Sequence, residues 1–539
     1  MIKINEELSI HCPLKYKPRP QQIQMFNLTK ASINSGKKFC LINAPTGSGK
    51  SYYTIMLYNF YKNYINSNAK FDIITNSKIL QQQYKDEFDF MNDLRGQSNY
   101  KCAKHNTDCR TGKELDRALK VMHCGNCPYD KAKDSWMGGD ISLTNFHLFN
   151  SFAFFVPETL ENRKSNVLIV DEAHDFESVF CDFISVKLSP KILKNYGMEA
   201  KNIEIYQRKF SDIKTAGAFI NFIENDFLPF IVELRQYLED TIKEMAEKKI
   251  TAIYTNYIDN INVAEEKLNN LLKDFSENEY NWTLDITKNK HNEIELIMQP
   301  IWGNVYLDKM IWNKYDHVIF MSGSILDKNM FSYLNGFDVS KSDYYEIEST
   351  FPIANRPLYY YQAGKMTYEQ KQATFKKQVV VVNKILKKYE NDRGIIHTSN
   401  YELSKWLNES ISDKRLIYHD ADNREEQLDK MKKKKSGVIV SPSMSSGISL
   451  DDDLSRFQII LKVPYPNISS NKVKARQSSN KNWYAWRTIT DIVQAYGRSV
   501  RSDTDWAHTY ILDSSFGDLL KFNRQLFPKF FIDAIKILK

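Results

Sequence analysis

Along its first part the chain gathers apolar residues into short runs, each ending in a turn-prone segment that a helix-like stretch follows. FCLIN at 39–43 leads into a glycine-containing loop and then SYYTIMLYNFYKNYI; FDIIT at 71–75 leads into LQQQYKDEFDFMNDL. Short apolar runs alternating with helical stretches predict parallel strands joined by right-handed crossovers. The pattern breaks at 100–139, which carries cysteines and charges but few large aliphatics. It resumes at DISLTN (140–145) and NVLIVDE (166–172). From 185 to 293 the chain turns helical and polar. Ile231, Leu234, Leu238, Ile242 and Met245 recur at spacings of three and four, as do Ile261, Ala264, Leu268, Leu271 and Phe275. Two amphipathic helices, paired antiparallel, are predicted there. A strand returns at HVIFMSGS (317–324). After about 345 a second alternating unit runs through GIIHT (394–398), GVIVS (437–441), FQIILKV (457–463) and HTYILD (508–513).

The expected fold class is therefore α/β, with two lobes of which the first is interrupted twice. Lobe 1 takes residues 1–99, 140–184 and 294–345; a small cysteine unit takes 100–139, a helical unit 185–293, and lobe 2 takes 346–539. At 539 residues, several units are the natural expectation. Apolar content of 42% and charged content of 26% suit a soluble globular chain. No apolar run is long enough for a membrane span, and MIKINEELSIHCPLKYKPRP lacks a signal-peptide core. The expectation is a soluble intracellular protein with no membrane partner. A net charge of +8 permits a polyanionic partner without demonstrating one.

Chemistry enters at 44–51, APTGSGKS, a phosphate loop with Ala44 in place of its first glycine. Thr46, Gly47, Ser48 and Gly49 would turn backbone amides toward phosphates. Lys50 would supply a point charge at the β/γ-phosphates and Ser51 a hydroxyl to Mg²⁺. VLIVDEAH at 167–174 then delivers Asp171 and Glu172 at the end of an apolar strand. Asp171 suits the water shell of Mg²⁺ and Glu172 the attacking water. His174 is expected to link the site to a moving lobe. Near the C-terminus, Gln494, Arg498 and Arg501 share one helix face in DIVQAYGRSVRS. A triphosphate held by the other lobe would satisfy that face, and closing arginines contribute ~10³–10⁵ in rate in related hydrolases. ATP is the implied cofactor.

Four of the seven cysteines, Cys102, Cys109, Cys124 and Cys127, are spaced C-x6-C-x14-C-x2-C. Four thiolates hold either zinc or an iron–sulfur cluster, and the spacing leaves that choice open. Cys12, Cys40 and Cys181 are isolated and expected as free buried thiols. Basic and aromatic residues interleave at 470–488. Lys472, Lys474, Arg476 and Lys481 would neutralise phosphates, and Trp483, Tyr484 or Trp486 would stack on bases, the alternative being that the rings pack lobe 2.

Together these segments resemble superfamily 2 helicases, and their order is similar to the XPD/DinG family of iron–sulfur DNA helicases over nearly the whole chain. RPQQIQM (19–25) resembles the family's entry motif, in which Gln22 would read adenine. TNSKILQQQY (75–84) resembles its strand-gripping motif, and LRGQSNYKC (94–102) its approach to the cluster. TNFHLF (144–149), MSGSIL (321–326), FPIANRP (351–357) and QAYGRSVR (494–501) are likewise similar. The resemblance implies two RecA-like motor lobes, a [4Fe–4S] cluster on the four cysteines and a helical arch. It also implies a monomeric motor that unwinds forked or tailed duplex by moving 5′→3′ on single-stranded DNA, with RNA–DNA hybrids left open. By the same resemblance Tyr100 and Lys101 would touch DNA. The chain departs from the family at SSGISL (445–450), where Ser446 and Ser449 stand in place of carboxylates. That departure leaves a second reading: an ATP-dependent binding or remodelling subunit with little unwinding.

Overall fold

The computed structural model describes residues 18–538, apart from 119–120, 245–247, 421–422, 443–449, 451, 499 and 501–503. Cys12, Met245, Ser446, Ser449 and Arg501 lie outside the described residues. Strands β1 (Phe39–Asn43), β2 (Phe71–Thr75), β3 (Asn92–Asp93), β4 (Ile141–Asn145) and β5 (Val167–Asp171) open the chain. A separate trio follows: β6 (Val186–Leu188), β7 (Trp282–Lys288) and β8 (Ile294–Pro300). Then come β9 (His317–Ser322) and β10 (Ser342–Glu346). The first sheet has the order β10-β1-β9-β5-β2-β4-β3 and is parallel throughout. Every residue of β1, β2, β4 and β5 is buried, as expected of strands covered by helices on both faces. Two aliphatic and aromatic cores, one per face, hold the sheet between its helices.

Lobe 2 repeats the plan with β11 (Leu358–Tyr361), β12 (Gly394–His397), β13 (Leu416–Tyr418), β14 (Val438–Ser441), β15 (Phe457–Ile460), β16 (His508–Ile511) and β17 (Ile535–Leu538). Its order is β13-β14-β12-β15-β16-β11-β17, again all parallel. The helices used below are α1 (Pro20–Asn34), α2 (Lys50–Tyr64), α3 (Cys109–Ala118), α4 (Pro128–Gly138), α5 (Phe176–Ile184), α6 (Leu228–Glu244), α7 (Lys248–Asn278), α8 (Asn471–Ser479) and α9 (Lys481–Tyr496). No helix among the described residues is long and apolar enough to cross a membrane.

The paired amphipathic helices are α6 and α7, packed side by side. Ile231, Leu238 and Ile242 are buried with Ile261, Leu268 and Leu271, while Leu234, Ala264 and Phe275 are partly covered. Each such side chain stabilises the pair by at most ~1.5–3 kcal/mol. Two expectations change. The helix predicted over 80–94 ends at Glu87. The buried Gln81 amide donates to the Leu94 carbonyl at 2.9 Å and to Asp93, folding the chain back so that β3 pairs with β4. The unit expected to be helical over 185–293 also contains β6 and β7, which join β8 just beyond it in an antiparallel sheet ordered β6-β8-β7. A period-two signal was present: Trp282 and Leu284 on β7 and Leu296 and Met298 on β8 are buried, and Asn292 makes the turn with φ +63°.

A buried arginine, with Lys70 and Asn92 beside it, anchors the cysteine unit to lobe 1. Arg163 is fully buried and bonds Asp72 on β2 at 2.5 Å. The same guanidinium donates to the carbonyls of Trp136, Met137 and Gly139 at the C-terminal end of α4, and stacks over the Trp136 ring. A cation there answers both a carboxylate and the negative end of a helix. On its other side the unit meets the helical pair. Arg110 on α3 bonds Asp259 and Asn260 of α7, and Thr111 bonds Asn256.

Candidate nucleotide site and the cleft between the lobes

The phosphate loop leaves the C-terminal edge of β1 and enters α2. Gly47 and Gly49 adopt φ +78° and +80°, left-handed angles that L side chains rarely hold. Space adds to this at Gly49, where a Cβ would lie 1.9 Å from Gln22 Nε2. Gln22 is fully buried; its Nε2 donates to the Gly49 carbonyl at 2.9 Å, and its Oε1 accepts from the Arg19 amide at 2.7 Å. Arg19 in turn donates to the Gly47 carbonyl at 2.9 Å. Both residues of the α1 entry thus brace the loop. Lys50 lies at the start of α2, its Nζ 3.5 Å from the Ala44 carbonyl. Ser48 is buried, and Thr46 faces lobe 2.

Asp171 and Glu172 emerge from β5, two strands from β1 with β9 between them. Asp171 is buried and accepts a hydrogen bond from Tyr84 at 3.0 Å. Burial pushes the Asp171 carboxyl up to about 6; Lys50 pulls it down and Glu172 pushes it up. A divalent cation held by Asp171 and Ser51 would favour its ionised form. Glu172 takes φ +55°, an unusual backbone for a residue with a side chain. That turn brings its carboxylate 3.4 Å from His174 Nδ1.

From His174 a chain of polar contacts crosses to lobe 2. His174 Nδ1 lies 2.8 Å from Ser322 Oγ at the end of β9. Ser322 Oγ is 3.4 Å from Ser324 Oγ, which accepts from Gln494 Nε2 of α9 at 2.7 Å. One turn on, Gly497 backs onto the phosphate loop so closely that a Cβ would lie 2.9 Å from Thr46 Oγ1. Arg498 is buried beside them and is close enough for its charge to act on Asp175 and His397. Pro45, Thr46 and Gly323 of lobe 1 and Arg356, Gln494 and Gly497 of lobe 2 line the remaining cleft. The expected residues thus meet: Lys50, Asp171, Glu172, His174, Gln494 and Arg498 surround one junction between the lobes. Ser322, Ser324 and Tyr84 were not singled out from sequence. Ser322 and Ser324 lie inside MSGSIL, where their polarity after a buried strand was the available signal.

The expected nucleic-acid contacts at 470–488 need correction. Trp483 and Trp486 are only 4% and 2% exposed, so neither ring offers a face to a base. Trp486 Nε1 donates to the Ile325 carbonyl of lobe 1 at 3.0 Å, and Trp483 packs edge-on against Trp302 at 6.1 Å. Arg476, expected to neutralise phosphate, is buried between those two rings and pairs with Glu177 of α5 at 2.6 Å. Lys472 lies 3.6 Å from Asp182, and Ser470 and Asn471 bond Asp285 on β7. Amphipathic rings and cations serve an interface between protein elements as readily as a nucleic acid, and the Arg476 face of α8 docks on α5 and β7 while Lys474 stays exposed. Tyr484 is half-buried, its hydroxyl donating to the Pro466 carbonyl at 3.0 Å. Lys474 and Lys481 are exposed. Tyr100 is half-buried, edge-on to Tyr129 at 5.7 Å, and Lys101 is exposed beside it.

The four cysteines of the small unit converge on one region. Cys102, Cys109 and Cys127 are buried and Cys124 is half-buried. Cys109 and Cys127 place their sulfurs 4.0 Å apart, and Gly112 leaves room for Cys102, whose Sγ a Cβ there would meet at 2.5 Å. Burial, with Cys127 and Cys102 adding, pushes the Cys109 thiol up to about 11; burial and the same two neighbours raise Cys124. Thiols that oppose one another's ionisation in this way are a donor set suited to a cation, which ionises them together. No group of three or more His, Cys, Asp or Glu among the described residues is closed around a single point. Cys40 and Cys181 are buried free thiols, as expected.

Comparison with known proteins agrees with this geometry. Residues 382–531 match the family model described as helicase C-terminal domain, and residues 15–204 the one described as type III restriction enzyme, res subunit. A probable ATP-dependent helicase of Methanocaldococcus jannaschii is 22% identical, covering 93% of this chain and 92% of that protein. An ATP-dependent DNA helicase CHL1 of Debaryomyces hansenii is 28% identical over 15% of this chain and 12% of its own length. Among solved structures, an XPD helicase superposes with a TM-score of 0.64 at 15% identity, over 97% of this chain and all of that one. Xpd4 of S. tokodaii gives a TM-score of 0.57 at 15% identity over the same share, 97% of this chain and 100% of its own.

Proposed function

Because the chain belongs to the XPD/DinG-like superfamily 2 helicases and is an ATP-hydrolysing helicase, we propose that it moves 5′→3′ along single-stranded DNA as a monomer and unwinds forked or tailed duplex. The observation that carries this reading is the polar chain from Glu172 through His174, Ser322 and Ser324 to Gln494. It ties the group that would polarise the attacking water to the opposite lobe, so a change at the γ-phosphate becomes relative motion of the lobes. In this scheme Lys50 holds the β/γ-phosphates, Ser51 and Asp171 hold Mg²⁺, Gln22 meets adenine, and Arg498 with Arg501 meets the γ-phosphate. Mg²⁺ supplies charge neutralisation at the phosphates.

Unwinding of a fluorophore-labelled duplex is the direct test. A 5′-tailed duplex should yield separated strands only with ATP, whereas a 3′-tailed duplex should not. Strand separation confined to the 3′-tailed substrate reverses the direction. ATP-dependent binding of both substrates without separation would favour the remodelling subunit, to which Ser446 and Ser449 in place of family carboxylates give some support.

We also infer that Cys102, Cys109, Cys124 and Cys127 hold a [4Fe–4S] cluster, with zinc as the alternative. The mutually destabilised thiols support a bound metal, and the family resemblance supports iron. When bound, the group supplies structural cross-linking of the small unit. Protein purified without oxygen should absorb broadly near ~400 nm and carry about four irons. A colourless protein with one tightly bound zinc would overturn the cluster and leave the nucleotide site as described. Removal of the metal should loosen the small unit first, because α3 and α4 each begin at or beside a ligand cysteine.

A further inference from the structure

Asp175, the residue that follows DEAH, sits where three elements meet. Asn76, just past the C-terminal end of β2, donates its Nδ2 to Asp175 Oδ2 at 3.3 Å, and His174 Nε2 lies 3.4 Å from the same oxygen. From lobe 2, Arg487 NH1 reaches within 3.9 Å of Asp175 Oδ1. Arg487 is held in turn by Asp491, whose Oδ1 is 2.8 Å from NH2 one turn along α9. Arg487, Asp491 and Gln494 succeed one another on α9 at spacings of four and three, so the face whose last turn reaches the nucleotide cleft begins on Asp175. Burial pushes the Asp175 carboxyl up, but His174, Arg487, Asn76 and Arg498 together hold it below its ordinary range, so it is an anion here. His174, Arg487 and Asp491 also line a cavity between the lobes, which gives the guanidinium room to shift when the lobes move.

Asn76 heads the segment TNSKIL. Its neighbour Ser77 caps the following helix by accepting from the Leu80 amide, and the Thr75 hydroxyl donates to the Ser77 carbonyl at 3.2 Å. The loop is therefore fixed to its helix, and the Asn76 side chain is its link to the DEAH segment. We propose that Arg487 and Asp175 form a further contact between the lobes, distinct from the Gln494 chain, by which lobe closure positions the Asn76 loop, so that strand engagement and closure favour one another. Both are positioning residues, since neither lies against the phosphate loop. The inference rests on the motor reading above and adds the residues through which the strand speaks to the ATPase. Coupling of this kind is reciprocal: what nucleic acid contributes to closure, closure returns to nucleic-acid affinity.

The test compares wild-type protein with Arg487→Gln and Arg487→Lys, measuring ATP turnover with and without a single-stranded oligothymidine. Arg487→Gln should keep basal turnover and the KM for ATP while losing about fivefold or more of the stimulation. Its half-stimulating oligonucleotide concentration should rise by a similar factor. Arg487→Lys, which keeps the charge, should recover much of the loss, an outcome that simple loosening of the fold does not produce. Asp175→Asn combined with Arg487→Gln should lose no more stimulation than Arg487→Gln alone, because one contact is broken once. Full stimulation of Arg487→Gln beside a stimulated wild type overturns the contact and leaves the motor reading standing. A wild-type ATPase indifferent to the oligonucleotide removes the motor reading, and this inference with it.

Discussion

Lys50→Ala should lower ATP turnover roughly 10³-fold or more, since one preorganised cation at a developing phosphate charge commonly contributes on that scale. The side chain can be removed at little structural cost: its Nζ lies 3.5 Å from the Ala44 carbonyl, a distance that contributes little to the fold. Thermal stability should therefore change little while activity collapses, which separates a lost phosphate contact from a lost structure. A second signature is expected in the residual activity. Lys50 pulls down an Asp171 carboxyl that burial and Glu172 push up to about 6. Without the lysine that carboxyl rises further, so a cation site needing the ionised form fails at higher pH. The acid limb of the pH–rate profile should move toward alkaline values in the variant. Near-normal turnover in Lys50→Ala would remove the site assignment; a collapsed rate with an unmoved acid limb would remove Asp171 as the group that titrates.

Arg476→Met should destabilise the junction of the lobes by ~3–5 kcal/mol, the usual cost of leaving one member of a buried ion pair alone. Glu177 and Arg476 are each 5% exposed, and their 2.6 Å contact joins α5 of lobe 1 to α8 of lobe 2. Glu177 also accepts from the Gly303 amide at 2.9 Å, while Arg476 donates to the Ile301 carbonyl at 2.5 Å. Removing the guanidinium leaves the buried Glu177 carboxylate with the Gly303 amide but without its paired cation. Removing both charges, as in Glu177→Met with Arg476→Met, should recover part of the loss, because two apolar side chains then fill the site. The pair also makes the junction acid-sensitive. Burial pushes the Glu177 carboxyl up, but Arg476 and Lys472 outweigh it and leave it lowered. A lowered carboxylate contributes stability that is complete above its unfolded-state value and disappears as pH falls through its folded-state value. Thermal melts of wild type and variant should therefore differ most near neutral pH and converge in acid. Equal midpoints at neutral pH would show that the pair contributes nothing to holding the lobes together.

These two arginine and lysine readings show how unevenly the sequence spoke. The phosphate loop and the DEAH segment were legible because their chemistry is local. A strand, two glycines at positive φ, a lysine at a helix start and two carboxylates at a strand end are contiguous in the chain, and so is their geometry. The strands were legible for a related reason: β1 and β2 coincide with FCLIN and FDIIT, since strands buried on both faces are mostly apolar, the buried Asp72 being paired with Arg163. Gln494 was legible on the last turn of α9, but the helix ends at Tyr496, so the expected helix face does not reach Arg498, which follows in a turn and is brought to the cleft by the chain beyond the helix. Helical spacing extended backward from Gln494 would have reached Arg487 and Asp491.

The segment 470–488 misled because composition is silent about partners. Lys, Arg and Trp in alternation fit a nucleic acid, and they fit equally a docking helix that buries Arg476 between two indoles. Only the approach of lobe 2 to β7 and α5 decides between them, and the contacting residues lie 185 to 299 positions apart in sequence. The hairpin of β7 and β8 was missed beside long helices, although its alternation of buried residues was there to read.

What the sequence determined by itself was therefore the set of elements whose information is local: the parallel strands, the paired helices α6 and α7, and the phosphate loop with its acidic strand. What only the tertiary structure decided was the company these elements keep. The crossing from Glu172 to Gln494, the burial of Trp483 and Trp486, the anchoring of α4 by Arg163 and the meeting of Asn76, Asp175 and Arg487 all join residues far apart in the chain. The physical reason is that a local conformation is fixed by backbone sterics and periodicity within a few residues, whereas the partner of a charge or ring is fixed by packing of the whole.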